Sequence, residues 1–436
     1  MKEAVACLVL LLLWVRGSAM MSNYLPQSVM TMRIYFDHNA TTPVEPSVIE
    51  AMTSALTSTF GNPSSVHHFG QQAKKVIDDA RSAVAELLAA RPSEIVFTSG
   101  GTESDNLAIR GIAEFAATTN GRRHLVTSAI EHDAVLKTIT TLGKRNGWRR
   151  SILPVNNEGL VSAKDLADVI DNETSIVSVM LANNEIGTIQ PICELAAIAH
   201  DRGALFHTDA VQAAGKLAID VNSLNIDLLS ISAHKFNGPK GVGALWSKRG
   251  IHLNPILTGG GHERHRRAGT ENVPALAGLA VASKIAMRKL ETGDSTTRAL
   301  RDSLENSIIQ SVPGAAINGK LDLRVPNTTN ISFEGVEAES LLIALDLEGV
   351  SVSTGSACSS GTLEPSHVLR AMGLSASRGQ SSIRFSLGLD NNKAEVDQVV
   401  KILPTLVSRL RNLRQSSRMP VTDSPSLVTT PSKAKE

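Results

Sequence analysis

The chain has 436 residues, 43 of them basic and 42 acidic, and aromatic residues make up 3%. This balanced charge gives no broad basic surface for nucleic acid, and so few aromatic residues argue against a base-stacking platform. Three cysteines, Cys7, Cys193 and Cys358, are too few for a disulfide framework or a zinc site. We therefore expect a large globular protein of two or three domains that binds neither nucleic acid nor a membrane.

The two ends of the chain differ in composition from the rest. Residues 1–30 contain an apolar run from Ala4 to Val15 between basic residues, which resembles a secretory signal and is too short to span a membrane. Alternatively, translation begins at a later methionine. We favour this alternative and a cytoplasmic protein, because the thiol chemistry inferred below needs a reduced cysteine. Residues 415–436, rich in Ser, Thr, Pro and Lys, predict a disordered tail.

Short apolar runs alternate with amphipathic segments between about residue 45 and residue 250. The predicted strands are 94–98, 124–128, 175–181, 204–208, 228–232 and 243–246. The predicted helices between them are 104–116, 133–144, 163–170 and 192–202. This alternation predicts an α/β domain with a mostly parallel sheet, here assigned to residues 45–270, and such sheets bind ligands at the carboxyl ends of their strands.

A second pattern follows a long predicted helix at residues 273–290. Its predicted strands are 315–317, 329–333, 350–353 and 383–386, and its predicted helices are 338–345 and 394–411. This order predicts a smaller α+β domain, which we assign to residues 34–44 and 271–413 together with the linking helix.

Lys235 ends a predicted strand in Ser230-Ile231-Ser232-Ala233-His234-Lys235, and a glycine-rich turn follows it. A lysine at this position is well placed to meet a ligand, and Ser232 and His234 could donate hydrogen bonds to a phosphate. A solvated lysine at an edge turn is the alternative, and for this motif alone it is the commoner case.

Four further polar motifs follow predicted strands. Gly101 and Thr102 open a helix whose first N–H groups could bind an anion, although a capping turn explains them equally well. Asp209 could pair with a protonated pyridine nitrogen or cap a helix, and Asn184 could donate to a phenolic oxygen or serve as a turn residue. His132 could stack on a flat ring and move protons, or simply pack. All five motifs lie at one edge of the predicted sheet, which favours a single ligand site.

Cys358 lies in a segment of glycine and small polar residues, 353–362. Free structural cysteines usually pack among apolar side chains, so this composition favours a reactive thiol, although many loop cysteines have no role.

These motifs, in this order, resemble the cysteine desulfurases of the iron–sulfur assembly and nitrogen-fixation type. That group belongs to the class V aminotransferases, which are fold-type I pyridoxal-phosphate enzymes. The resemblance covers Ile34 to about Leu413. Its most specific strings are Ser232-Ala233-His234-Lys235, GGGHER at 259–264 and GSACSSGTLEPSH at 355–367.

The resemblance implies how pyridoxal 5'-phosphate would be held. Lys235 would bind the cofactor covalently, Asp209 would pair with its pyridine nitrogen, and Gln212 and Asn184 would bond its phenolic oxygen. The implied phosphate ligands are Gly101, Thr102, Ser232, His234 and, from the neighbouring subunit of a homodimer, Thr270. Relatives often carry alanine where this chain has Gly101, a change that we expect to be neutral.

The resemblance also implies a reaction on L-cysteine. His132 would stack on the cofactor and assist proton transfer, while Asn39 and Arg384 would bind the substrate carboxylate. Cys358 would take the sulfur as a persulfide, release L-alanine and pass the sulfur to an acceptor such as an iron–sulfur scaffold protein. No resident metal is expected, and Cys358 would at most bind an iron–sulfur cluster transiently.

Two rival interpretations stay open from the residues. One keeps the cofactor but changes the reaction to that of a selenocysteine lyase or another class V aminotransferase. The other is a sulfur-relay protein that keeps the fold without catalysis. Cys358 in its long loop argues against the first, and the presence of Lys235, Asp209 and Cys358 together argues against the second.

Overall fold

A seven-stranded sheet lies at the centre of the structure, a computed structural model that describes residues 33–293, 295–355 and 366–416. The strands of all sheets in the described residues, numbered in chain order, are β1 (Ile34–Tyr35), β2 (Ile95–Thr98), β3 (His124–Ser128), β4 (Arg149–Leu153), β5 (Thr174–Ser178), β6 (Leu205–Asp209), β7 (Leu228–Ser232), β8 (Gly243–Ser247), β9 (Ala315–Asn318), β10 (Thr328–Phe333), β11 (Val350–Ser351) and β12 (Ser382–Ser386). The large sheet has the order β2-β8-β7-β6-β5-β3-β4. Strand β8 runs antiparallel to β2 and β7, and all other neighbouring pairs in this sheet are parallel. The predicted α/β fold with a mostly parallel sheet is confirmed.

Helices cover both faces of this sheet. They are α1 (Pro46–Ser58), α2 (His68–Leu87), α3 (Gly101–Thr119), α4 (Asp133–Leu142), α5 (Ala163–Val169), α6 (Ile192–Asp201), α7 (Val273–Thr292), α8 (Ser295–Ser311), α9 (Ala338–Leu347), α10 (His367–Ala371), α11 (Ala376–Gln380) and α12 (Lys393–Ser416). Successive strand residues face opposite sides, so Leu125 and Ile176 pack with α3 and α4, while Val126 and Val177 pack on the other face with α2, α6 and α7.

A second hydrophobic cluster forms around smaller sheets. β9, β10 and β12 make an antiparallel sheet in the order β12-β10-β9, and β1 pairs with β11 in parallel. Ile34 and Phe36 are fully buried in this cluster together with side chains from α8, α9 and α12. The long helix α7 instead packs against α1 and α2. The exact domain bounds stay a prediction.

Two isolated bridges join the segment after β1 and the residue Ser353 to strand β12 within this second region. Asp37 pairs with Ser386, and Ser353 pairs with Arg384. The polypeptide after β1 therefore runs beside β12 and then reaches the turn after β7, where the backbone N–H of Thr42 donates to the carbonyl oxygen of His234 at 2.9 Å. This path brings residues from both regions to one site.

The strand β4 was not predicted, and its sequence explains why. It is the outer strand of the sheet and begins with Arg149 and Arg150, both exposed, so it lacks the apolar run typical of a buried strand. Helix α8, which also was not predicted, is rich in Ser, Thr and Arg. Helix α12 extends to Ser416, and the remainder of the predicted tail lies outside the described residues.

None of the helices in the described ranges is both long enough and apolar enough to cross a membrane.

Candidate active site

A cavity of about 610 Å³ opens at the carboxyl ends of β3, β5, β6 and β7. It has the size of sites that bind small molecules and cofactors. Many residues that the sequence predicted for the site line it: Asn39, Gly101, Thr102, His132, Asn184, Asp209, Gln212, Ser232, His234, Lys235 and Arg384. The backbone thus brings together side chains that are up to 345 positions apart in the sequence.

Of the predicted site residues that the structure describes, Thr270 does not line this cavity, and Cys358 is not among the described residues. Thr270 is exposed, a position that suits its predicted role toward a neighbouring subunit. Cys358 lies in residues 356–365, outside the described residues. Gly355 and Ser366, which flank that segment, both line the cavity.

Lys235 ends the 3-10 turn that follows β7. Its Nζ donates to two backbone carbonyl oxygens, that of Asn39 at 2.6 Å and that of Ala40 at 2.8 Å. The amine is therefore held at the wall of the cavity by neutral acceptors. A primary amine in this position can attack a carbonyl group of a ligand.

Asp209 is the last residue of β6 and is almost fully buried. Burial raises the pKa of its carboxyl group, while the nearby His132, the N–H of Val211 and Lys235 lower it. Among the described residues it accepts one hydrogen bond, at 2.8 Å from that N–H. A buried carboxylate with so few donors would be stabilised by a protonated ring nitrogen of a ligand.

The amino-terminal end of α3 forms the next part of the wall. Its backbone lies against β7, because a Cβ added at Gly101 would lie 3.6 Å from the Cβ of Ser232. His234 is nearby, and burial together with Lys235 and Lys240 lowers the pKa of its imidazole to about 4, which keeps it neutral. Free helix N–H groups beside a serine hydroxyl and a neutral imidazole can bind a phosphate.

The same geometry corrects one expectation. A Cβ at Gly101 would also lie 2.7 Å from Cγ2 of Val211, closer than carbon atoms approach. Alanine at this position therefore is not a neutral change in this chain, since either Val211 or the start of α3 would have to move.

Arg384 and Asn39 are tied into the wall by several hydrogen bonds. Arg384 donates from Nη1 to the carbonyl oxygen of Asn184 at 3.0 Å and from Nη2 to Oδ1 of Asp37 at 2.6 Å, while its buried Nε has no partner among the described residues. Asn39 donates both amide hydrogens to protein acceptors, the carbonyl oxygen of Asn184 at 3.1 Å and Oγ1 of Thr328 at 2.8 Å. A substrate carboxylate could bind Asn39 only by replacing one of these bonds.

His132 and Asn184 differ in how far the protein already uses them. Nδ1 of His132 accepts the N–H of Ala134 at 3.1 Å and so caps α4, which leaves Nε2 as the nitrogen able to exchange a proton with a ligand. The side-chain amide of Asn184 makes no hydrogen bond within the described part of the chain. Both side chains line the cavity and remain available to a ligand.

Sequence reasoning missed several buried ionisable residues at this site. Asp105, Glu131 and Glu185 are almost fully buried, and burial raises the pKa of all three carboxyl groups, to about 8 for Glu131. Lys216 is enclosed beneath Gln212. Each lies within four positions of a predicted site residue, and this proximity was the one available signal.

The sequence profile described as aminotransferase class-V matches residues 34–399. The chain is 48% identical to a protein named cysteine desulfurase IscS from Methanosarcina thermophila, over 87% of this chain and 93% of that protein. It is 47% identical to a protein named cysteine desulfurase from a Nostoc species, over 87% and 94%.

Solved structures agree with these relatives. A structure named NifS-like protein superposes with a TM-score of 0.81 at 38% identity, over 87% of this chain and 100% of that chain. A structure named SspA in complex with cysteine has a TM-score of 0.72 at 37% identity, over 81% of this chain and 98% of that chain. The chain belongs to the class V aminotransferase family, and within it to the cysteine desulfurases.

Proposed function

We propose that this protein is a pyridoxal-phosphate-dependent cysteine desulfurase that converts L-cysteine to L-alanine and transfers the sulfur to Cys358. One observation supports this most strongly. A single cavity contains the amine of Lys235, the buried carboxyl group of Asp209 and the guanidinium group of Arg384. These three groups suit a carbonyl, a ring nitrogen and a carboxylate, which occur together in the cofactor and an amino acid.

The residues of the cavity fit the cofactor. Lys235 would bind it covalently, Asp209 would pair with its ring nitrogen, and Asn184 and Gln212 would donate to its phenolic oxygen. The phosphate ligands would be Gly101, Thr102, Ser232 and His234, with Thr270 of a second subunit. When bound, pyridoxal phosphate supplies an electron sink for the α-carbon of the amino acid.

The chain's own groups would orient the substrate and move protons. The guanidinium group of Arg384 would bind the carboxylate of L-cysteine, and Asn39 would assist by exchanging one of its present bonds. Nε2 of His132, which carries the ring hydrogen while Nδ1 accepts from Ala134, would donate toward the ligand and so assist proton transfer in the cavity. The carbonyl oxygens of Asn39 and Ala40 would hold the amine of Lys235 whenever it is free.

Cys358 would perform the sulfur transfer. Its thiolate attacks the sulfur atom of the substrate, and a sulfur–sulfur bond forms as the carbon–sulfur bond breaks. The electron pair of the broken bond stays with the carbon atom, which takes up a proton and leaves as L-alanine. The persulfide on Cys358 then passes its outer sulfur to an acceptor, for which an iron–sulfur scaffold protein remains our proposal, as does a location in the cytoplasm.

Two surface features support a homodimer. Around Thr270, buried atoms of three side chains lack partners in the described chain: Nδ1 of His262, Nη1 of Arg266 and Oε2 of Glu271. Near the start of α2, the neighbouring rings of Phe60 and Phe69, whose centroids are 5.1 Å apart, are 71% and 48% exposed. A second copy of the chain would cover such an apolar surface and supply the missing polar partners.

The test is an assay of purified protein with pyridoxal phosphate and L-cysteine, with a thiol to release the sulfur. We expect a visible absorption band from the bound cofactor, and alanine and sulfide in equal amounts. Lys235→Ala should abolish the band and all turnover, whereas Lys240→Ala, in the exposed turn that follows, should change neither. Turnover of selenocysteine but not of cysteine, or transamination without sulfide, would favour the rival enzymes.

A further inference from the structure

Lys216 is an enclosed lysine that the proposed reaction does not use. Its Nζ lies between two side-chain amide oxygens, Oε1 of Gln212 at 2.7 Å and Oδ1 of Asn39 at 3.1 Å. Both of these partners from the described residues are neutral amides. Burial lowers the pKa of this amine well below its usual value, and the charges of Lys235 and Arg384 lower it further.

Lys216 also lies behind the main cavity. It does not line that cavity but lines a smaller one of about 60 Å³ on the other side of Lys235. A ligand in the main cavity therefore meets Gln212 and Asn39 but not Lys216. The hydrogen-bonded connection from Lys216 to that ligand therefore passes through these two amides.

The hydrogen bond from Lys216 fixes which end of the Gln212 amide faces the cavity. A side-chain amide has an accepting oxygen and a donating nitrogen. Because Oε1 accepts from Lys216, Nε2 lies on the other side, where one of its hydrogens goes to the carbonyl oxygen of Asn39 at 2.9 Å. The second hydrogen remains for a ligand. Rotating the amide would break both bonds and present an oxygen instead.

The Asn39 amide is fixed in the same manner. Its Oδ1 accepts from Lys216 and, at 3.1 Å, from Nδ2 of Asn327. The backbone carbonyl oxygen of Asn39 in turn accepts from Gln212 and from Nζ of Lys235. Hydrogen bonds thus run without interruption from Lys216 through Gln212 and Asn39 to Lys235.

We propose that Lys216 is a positioning residue that makes Gln212 present an N–H group, and not a carbonyl oxygen, to an anionic oxygen of the ligand. The inference rests on the proposed function, in which that oxygen is the phenolic oxygen of pyridoxal phosphate. A donor stabilises this oxygen, whereas an amide oxygen in the same place would repel it. Lys216 thus fixes the orientation of the Gln212 amide without contacting the ligand itself.

The experiment compares Lys216→Met, which keeps the length of the side chain but cannot donate, with the unchanged full-length protein. We expect the dissociation constant of pyridoxal phosphate to rise about tenfold, the effect of one hydrogen bond to a charged oxygen, and the absorption maximum of the bound cofactor to shift. Lys216→Arg, which retains donors, should recover part of the affinity.

A double-mutant cycle separates positioning from general damage to the fold. In a Gln212→Ala background the glutamine amide is absent and Asn327 still holds the Asn39 amide, so Lys216→Met should weaken cofactor binding less than twofold. An equal loss in both backgrounds, or an unchanged dissociation constant and spectrum in Lys216→Met, would overturn the proposal. If Lys216→Met does not fold, Lys216→Leu, which also lacks a donor, gives the same comparison in the two backgrounds. Failure of the unchanged protein to bind the cofactor would instead contradict the proposed function.

Discussion

At the scale of single residues, the position of Asp209 in the fold determines the burial, hydrogen bonding and pKa of its carboxyl group. A buried strand delivers its carboxyl group to the cavity, one backbone N–H holds it, and burial raises its pKa. Asp105 and Glu131 surround it with further carboxyl groups whose pKa values burial also raises. In such surroundings a negative charge on Asp209 costs least when a cation lies against it, which a protonated cofactor nitrogen would provide.

Glu131 leads to a prediction about pH and stability. Its Oε1 accepts hydrogen bonds from Ser128 and from the N–H of Met180, and burial raises its pKa from 4.5 to about 8. The native protein then keeps a proton that the unfolded chain loses. The resulting stability is complete below pH 4.5 and is lost as the pH rises through 8.

Glu131→Gln keeps the accepting oxygen and removes the titration. Between pH 5.5 and pH 8.5 we expect the free energy of urea unfolding to fall more in the unchanged protein than in this variant, by at most about 3 kcal/mol. The exposed Glu173→Gln serves as the control and should follow the unchanged protein. Parallel pH profiles for all three proteins would contradict a protonated Glu131.

At the scale of elements, the start of α3 depends on its contact with the loop after β6. Gly101→Ala would force a Cβ to within 2.7 Å of Cγ2 of Val211 and push the helix end away from β7. We expect this change to weaken cofactor binding by about tenfold, because overpacking of a close contact typically costs about 1–3 kcal/mol.

Val211→Ala should restore the affinity of Gly101→Ala, because it removes the colliding methyl groups. The dissociation constant of pyridoxal phosphate, measured by absorbance titration of the two single variants and the double variant, decides this. An unchanged constant in Gly101→Ala would show that the helix end adapts freely. A loss that Val211→Ala does not repair would show that the collision is not its cause.

Strands buried on both faces could be predicted from the sequence, whereas an exposed strand and a helix rich in polar residues were missed. β3 and β7 have the predicted bounds because each is a short apolar run buried on both faces. β5 ends at Ser178, three residues before its predicted end, although Leu181 still donates its N–H to the carbonyl oxygen of Asp209. β4 is exposed and lacks an apolar run. α8 does bury Leu300, Leu304 and Ile308 at helical spacing, a pattern that sequence reasoning missed among its Ser, Thr and Arg residues.

Site residues that lie at the end of a strand could be predicted from the sequence. Site residues whose role depends on contacts made in the folded structure could not. Lys235 and Asp209 lie at strand ends, a position that indicates a ligand edge in any parallel sheet. Lys216 and Glu131 became candidates only when distances showed what they contact, since a lone lysine or glutamate in a sequence is usually solvated.

For the whole molecule, the account predicts a dimer that is needed for activity. Phe60 and Phe69 would be covered by the second subunit, so Phe60→Ser with Phe69→Ser should yield monomers and reduce cofactor binding. The matched control is Leu347→Ser, because Leu347 is 81% exposed at the end of α9. Light scattering after gel filtration measures the mass. A monomeric but fully active unchanged protein, or an active monomeric variant, would contradict this role of the dimer.

The most direct test of the central claim is a single turnover of Cys358→Ala with L-cysteine, in parallel with Cys193→Ala, whose thiol is exposed and does not line the cavity. The account predicts that Cys358→Ala keeps the absorption band of the bound cofactor and binds L-cysteine but releases no sulfur. Cys193→Ala should form alanine and sulfide in equal amounts, like the unchanged protein. Sulfide formation by Cys358→Ala at the rate of the unchanged protein would contradict transfer through Cys358.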